Sequence, residues 1–191
     1  MRKRLLLAAM TICLVGFPHG SFAIETIDQE NTVGGSLFFQ NGAGSSIGQS
    51  FNPALSSVSV ASFSLLTDDT ASVQLQLFQG SGYAGTLLGS SAPVTVSNAV
   101  LESTEFYFST AIALIPGNPY TLRLVLLSGE YEGAFSNANP YGGGTAFDGA
   151  GSSNPGMDLV FAEGIPEPTS LGLAVLGGMI LWWRRARPGA R

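Results

Sequence analysis

The middle of the chain alternates apolar and polar residues with a period of two. Val73, Leu75 and Leu77 alternate with glutamines, which predicts a strand with one buried and one solvated face. The same period recurs in four further segments, namely residues 94–97, 105–108, 120–127 and 157–162. Because residues 122–127 are apolar on both faces apart from Arg123, we predict that their strand lies centrally in its sheet.

Another strand is predicted at residues 58–66, where a change of phase near Ala61 indicates a β-bulge. The polar, glycine-rich stretch before it holds a predicted edge strand at residues 36–40. Gly, Asn, Asp, Ser and Pro cluster between these segments, as they do in turns, and helical periodicity is absent. The pattern therefore predicts an all-β fold, a single antiparallel, jelly-roll-like β-sandwich over residues 24–164, with a long loop at 137–156.

The first 23 residues have the layout of a secretory signal peptide. A charged start, Arg2-Lys3-Arg4, precedes an apolar run over residues 5–17. Small residues at the end of the segment predict cleavage after Ala23 by signal peptidase. The other interpretation is an uncleaved N-terminal anchor, which the short apolar run disfavours.

Residues 165–191 combine three parts in a fixed order. Pro166, Glu167 and Pro168 form a tripeptide whose two prolines favour an extended conformation. An uncharged, predicted transmembrane helix follows; its 15 residues, 169–183, would span roughly 22 Å, against about 30 Å for a bilayer core. The last part is basic. Its stop-transfer cluster, Arg184, Arg185 and Arg187, predicts that this end of the helix faces the cytoplasm.

This C-terminal arrangement resembles the PEP-CTERM sorting signal. The resemblance implies a Gram-negative bacterial protein that makes a transient stop in the inner membrane. There an exosortase, a membrane-embedded cysteine protease, processes it near the tripeptide. The product then passes to the cell surface or the extracellular matrix. The middle of the chain also resembles the β-sandwich modules of surface-anchored bacterial proteins, some of which look like carbohydrate-binding modules.

Charge and composition restrict the kinds of catalysis and binding that residues 24–164 can support. Cys13, His19 and Lys3, each the single residue of its type, all lie in the predicted signal peptide. The remaining segment keeps one basic residue, Arg123, against twelve carboxylates, a net charge of −11. These facts exclude a disulfide and Cys–His, Ser–His–Asp or His-ligated metal catalysis in that segment, and they disfavour nucleic-acid binding.

Two kinds of binding residue are predicted. Calcium needs only oxygen ligands, and Asp148, Asn154 and Asp158 lie in or beside an oxygen-rich loop; an ordinary glycine-rich surface loop is the other interpretation. Sugars stack on exposed aromatic rings, and the candidate rings, which could equally fold onto the edge of the sandwich, are Tyr131, Tyr141 and Phe147.

We expect a non-catalytic, exported protein with a structural or adhesive role, associated with the exopolysaccharide matrix of a biofilm. No cofactor other than calcium is predicted. A carbohydrate hydrolase with two carboxylates is the alternative, and its nearest pairs are Asp68 with Asp69 and Glu130 with Glu132. The interpretation that we favour is a solvated turn for the first pair and an exposed strand face for the second. A surface protein without a specific ligand is the third interpretation.

Overall fold

The structure, a computed structural model, describes residues 26–165. The predicted signal peptide with its cleavage at Ala23, and the predicted sorting segment from Pro166 onward, lie outside the described residues. Every regular element within 26–165 is a β-strand, so this part of the chain has no helix that could cross a membrane.

Fourteen strands make up the described chain. They are β1 (Thr26–Asn31), β2 (Ser36–Asn41), β3 (Ser46–Phe51), β4 (Ser57–Leu66), β5 (Ala71–Gln79), β6 (Leu87–Ser90), β7 (Val94–Val96), β8 (Glu102–Ala113), β9 (Tyr120–Ser128), β10 (Glu130–Ser136), β11 (Ala146–Phe147), β12 (Ser153–Asn154), β13 (Asp158–Leu159) and β14 (Phe161–Ile165).

The strands form two antiparallel seven-stranded sheets. In sheet I, β8 pairs with one edge of β4, while β14 and then β10 share the other edge. Outside these, β1 pairs with β14, and β10 pairs with β2 and β13. Sheet II runs in the order β12, β11, β3, β9 and β5, with β6 and β7 both on the outer edge of β5.

One hydrophobic cluster contains side chains from both sheets, which is consistent with a β-sandwich. Sheet I contributes Phe63 and Phe106, and sheet II contributes Leu75 and Leu124, among others. The predicted alternation is confirmed on β5, where Val73, Leu75 and Leu77 are buried and the glutamines are half-buried. The all-β prediction is thereby confirmed for the described residues.

Several predicted details can be compared with the strands. β9 lies between β3 and β5, which confirms its central position, and β2 confirms the predicted edge strand. The register of β4 against β8 shifts between Val58 and Val60, next to the predicted bulge. The predicted strand at 157–162 is two strands, β13 and β14, and the predicted loop at 137–156 contains β11 and β12.

Candidate functional site

A groove lies on the outer face of sheet I, where β10 and β14 separate along the edge of β4. Val160, between β13 and β14, spans this separation: its N–H donates to the Ala134 carbonyl at 2.9 Å, and its carbonyl accepts from the Ser64 N–H at 3.3 Å. The groove consists of two adjoining depressions of about 410 and 290 Å³ that share Thr32, Ser64 and Val160. The splitting of one strand edge between two partners therefore creates the concavity.

Small side chains form the floor of the groove. Ala61 and Phe63 point into the core, so Ser62 and Ser64 lie on the opposite, outer face of β4. Ser103 of β8 stands directly across from Ser64. The floor therefore presents a row of hydroxyl groups, each able to donate and to accept a hydrogen bond.

The walls of the groove combine apolar side chains with backbone. Leu37 of β2 and Leu101, just before β8, are exposed and line the larger depression. The connection between β1 and β2 forms another wall at Gly34, where a Cβ atom would come within 2.8 Å of Val160 Cγ2. None of the residues lining the two depressions is charged. Such a lining is complementary to a ligand with both C–H surface and hydroxyl groups.

The same outer face carries two aromatic rings that were not predicted as ligand-binding. Phe39 is 51% exposed and stands opposite Glu132, on the side of the groove formed by β2. Tyr107 of β8 is half-buried, and its hydroxyl donates to Glu105 Oε2 at 2.6 Å. Burial first, and the hydrogen bond to Glu105 second, raise the pKa of Tyr107. Both rings follow the two-residue alternation that places Leu37 and Ser103 on this face.

The three predicted sugar-stacking rings are buried, so the prediction of an exposed platform is wrong for this structure. Tyr131 is 1% exposed, Tyr141 9% and Phe147 4%. Tyr131 meets Phe38 edge to face within the sandwich. Tyr141 and Phe147 belong to the loop that folds onto the sandwich, the alternative that the sequence left open. Their rings are covered because burying aromatic surface is favourable when a long loop can reach the core.

The three predicted calcium ligands make separate contacts. Asp148 Oδ1 accepts hydrogen bonds from the Ala150 and Ser152 N–H groups at 3.0 and 2.8 Å, which closes its own turn. Asp158 is fully buried and accepts from Gln49 Nε2 and the Tyr141 N–H. Asn154 is exposed on β12. Residues 26–165 contain no group of three carboxylate, histidine or cysteine side chains arranged to hold a metal ion. Calcium binding stays a prediction.

The carboxylate pairs predicted for a hydrolase lie on the surface. Asp68 and Asp69 are exposed in the turn between β4 and β5. Glu130 and Glu132 share one face of β10, with Glu130 exposed and Glu132 half-buried. Both locations agree with the simpler explanations, a solvated turn and a strand face.

A different acid pair lies at the junction of β1 and β14, where Asp28 is half-buried and Glu163 is buried. Glu163 is 0% exposed, and neither of its carboxyl oxygens accepts a hydrogen bond from a described donor. Burial, followed by the charge of the neighbouring Asp28, raises the pKa of Glu163 to about 8. Both causes favour the neutral, protonated form of Glu163 at neutral pH.

Backbone groups fix the position of Asp28 in this pair. Its two oxygens accept hydrogen bonds from the N–H groups of Ala54 and Leu55 at 2.8 to 3.1 Å. Asp28 sits at the register shift of β1 between Ile27 and Gln29. This pair is not among the residues predicted from the sequence. One signal could have found it, since Glu163 is in phase with the buried Phe161 on β14.

Arg123, the one basic residue among residues 26–165, lies on the outer face of sheet II. Its guanidinium carbon stands 4.5 Å from the centroid of the Tyr83 ring. Its Nε and Nη2 donate to Ser46 Oγ at 3.0 and 2.9 Å. The cation is thus held by an aromatic face and a hydroxyl group, on the sheet opposite the groove.

Comparison with known proteins gives no matching family model and no significant match among curated protein sequences.

Proposed function

We propose that this protein is an exported surface or matrix protein that binds neutral polysaccharide through the groove on sheet I. The observation that carries the proposal is the uncharged groove with its hydroxyl floor and exposed leucine walls. Serine hydroxyls match the hydrogen-bonding groups of sugar rings, and the leucines match the C–H faces of those rings. Phe39 and Tyr107 supply ring surface on the same face.

The charge of the domain favours a neutral glycan over an acidic one. Glu30, Glu105 and Glu132 stand on the outer face around the groove, and the segment has a net charge of −11. A polyanion approaching this face would meet repulsion at low ionic strength. The proposed role is structural or adhesive, because a groove that runs across several strands can hold an elongated polymer without modifying it chemically.

The proposed location rests on the sequence outside the described residues. The Pro166-Glu167-Pro168 tripeptide, the apolar segment and the terminal arginines support sorting by an exosortase at the inner membrane. Residues 1–23 support export and removal by signal peptidase. The proposed product is a single, jelly-roll-like sandwich. It is the part of the chain that lies between the signal-peptide helix and the transmembrane helix.

We assign no catalytic step to the protein. An acid-and-base hydrolase requires two neighbouring carboxyl groups, and Asp28 and Glu163 are such neighbours. Glu163 is fully buried beneath β1, however, so a glycosidic oxygen cannot reach it in this structure. The pair is better explained as a structural contact between β1 and β14 than as a catalytic site.

The test is binding of the full chain, in detergent, to neutral glucans and galactans and to an acidic alginate. A Ser64→Tyr variant fills the groove, and Ser153→Tyr, on an exposed strand of sheet II, is the matched control. We expect Ser64→Tyr to weaken binding of the preferred neutral glycan at least tenfold and Ser153→Tyr to leave it unchanged. Equal binding by both variants, preference for alginate, or no binding to any polymer would overturn the proposal.

A further inference from the structure

Strand β2 is an open edge of sheet I. All six of its residues pair in continuous register with β10, from Ser36 opposite Phe135 to Asn41 opposite Glu130. No described strand pairs with its other edge. An open edge presents unpaired N–H and C=O groups, which are a template for an additional strand.

The other edges of the two sheets are protected in ways that β2 is not. β1 carries Asp28 and Glu30 and a register shift, and β8 carries Glu102 and Glu105. The remaining edge strands in residues 26–165 have four residues or fewer, namely β6, β7, β12 and β13. β2 is six residues long and has no charge, proline or register shift. Proteins usually protect long edges with these features, so their absence from β2 alone points to a use for this edge.

The outward side chains of β2 are self-complementary. Leu37 and Phe39 are both exposed on the outer face of sheet I, with Phe38 between them packed toward the core. In an antiparallel pair of two β2 strands centred on Phe38, Leu37 of each copy stands opposite Phe39 of the other. Cross-strand pairs of aromatic and aliphatic side chains stabilise a sheet by roughly 0.2–1 kcal/mol each. The contact therefore places each exposed apolar side chain of β2 beside one from the other copy.

We propose that two copies of this chain associate through β2, with antiparallel pairing about Phe38. The contact is isologous, so it closes as a dimer and leaves no further open β2 edge. It joins the two copies of sheet I into one continuous sheet with both grooves on the same face. Although each copy is acidic, β2 itself is neutral, and Glu130 and Glu132 lie one strand behind the contact.

Disulfide trapping tests the proposed register directly. Cys13 is the one cysteine of the chain, so Cys13→Ser provides a clean background in the full chain in detergent. Directly opposed residues in an antiparallel pair have Cα atoms about 4.5–5.5 Å apart, within disulfide range. We expect a mixture of Leu37→Cys and Phe39→Cys chains to form a covalent dimer at least five times faster than either chain alone.

The matched control is Leu87→Cys, since Leu87 is 48% exposed, close to the 51% of Phe39, but lies on sheet II. Cross-linking of the mixture no faster than this control would overturn the proposal, whether β2 stays open or another segment of the same chain covers it.

A second readout is the mass in solution without cross-linking. There Phe39→Lys, which places a lysine on the edge strand opposite Glu132, is expected to convert dimer to monomer while the chain keeps its β-sheet circular dichroism spectrum. A dimer that survives Phe39→Lys would also overturn it. Neither readout involves polysaccharide, so the outcome is independent of the proposed binding function.

Discussion

Single polar side chains fix parts of this fold that hydrophobic patterning cannot indicate. Gln49 is fully buried on β3 of sheet II, and its Nε2 donates to Asp158 Oδ1 at 3.0 Å while its Oε1 accepts from the Leu159 N–H at 2.8 Å. Asp158 and Leu159 belong to β13 of sheet I. One amide group thus joins the two sheets with hydrogen bonds shielded from water, where an unpaired polar group would be costly.

The protonated Glu163 makes stability depend on pH. Its pKa of about 8 in the folded state exceeds the ordinary value of 4.5, so the folded protein retains a proton that the unfolded chain releases between these values. The contribution is complete below about pH 4.5 and is lost as the pH rises through 8. We expect the free energy of unfolding, measured by denaturant titration, to fall between pH 5 and pH 9.

Glu163→Gln separates this effect from the other carboxylates. The glutamine side chain has nearly the same size but does not titrate, so the variant should lose less stability over the same pH range and exceed the native chain at pH 9. Asp68→Asn, in an exposed turn, is the control and should keep the native slope. Parallel pH profiles for the native chain and Glu163→Gln would contradict the assignment of the proton to this pair.

At the scale of elements, strands with regular alternation were predictable and polar strands were not. β5 and β9 follow the alternation of Val and Leu closely. β3, Ser46–Phe51, is buried along its whole length although four of its six residues are serine, glycine or glutamine. Gly48 shows the reason, since a Cβ there would come within 2.5 Å of the Leu122 carbonyl oxygen. Close approach between β3 and β9, rather than hydrophobicity, selects that residue.

The groove was not predictable from sequence for a related reason. Its floor residues, Ser62 and Ser64, alternate with Ala61, Phe63 and Leu65 as on any strand with one solvated face. The concavity depends on β10 and β14 sharing one edge of β4, which is a property of the pairing. The predicted aromatic site was wrong for a different reason. A position in or beside a loop does not reveal whether a ring faces the solvent or the core.

The central position of β9 predicts where a core substitution is most damaging. Leu124 is fully buried between Ile47 of β3 and Leu75 of β5. We expect Leu124→Ala to lower the free energy of unfolding by about 2–5 kcal/mol, through lost apolar burial and the cavity that remains. Val125→Ala, on the half-buried outer face of the same strand, should cost less than half as much in the same denaturant titration. Equal losses would show that β9 is not enclosed as described.

The domain between the two predicted terminal signals is dominated by one sign of charge. Residues 24–164 carry twelve carboxylates and a single arginine, so compact packing brings like charges together. We expect the melting temperature of the full chain to rise by a few degrees when NaCl is raised from about 10 to about 200 mM, because salt screens this repulsion.

A charge-reduced variant tests the cause of that rise. Asp68→Asn with Asp69→Asn removes two charges from an exposed turn and should make the melting temperature less dependent on NaCl. Sucrose at matched water activity, which does not screen charge, serves as the control for general solute effects. A salt response that is unchanged in the variant would assign the rise to something other than charge repulsion.

The position of β14 in sheet I has a consequence for the order of folding. β14, at residues 161–165, lies between β4 and β1, and Thr26 at the start of β1 stands opposite Ile165. β1 therefore has no strand to join until the far end of the domain is available, about 135 residues later along the chain. Closing so long a loop carries an entropic cost that must be met before the contact forms, and topologies of this kind fold slowly. Among the described strands, the first to be synthesised thus waits for the last to be synthesised before it can join its sheet.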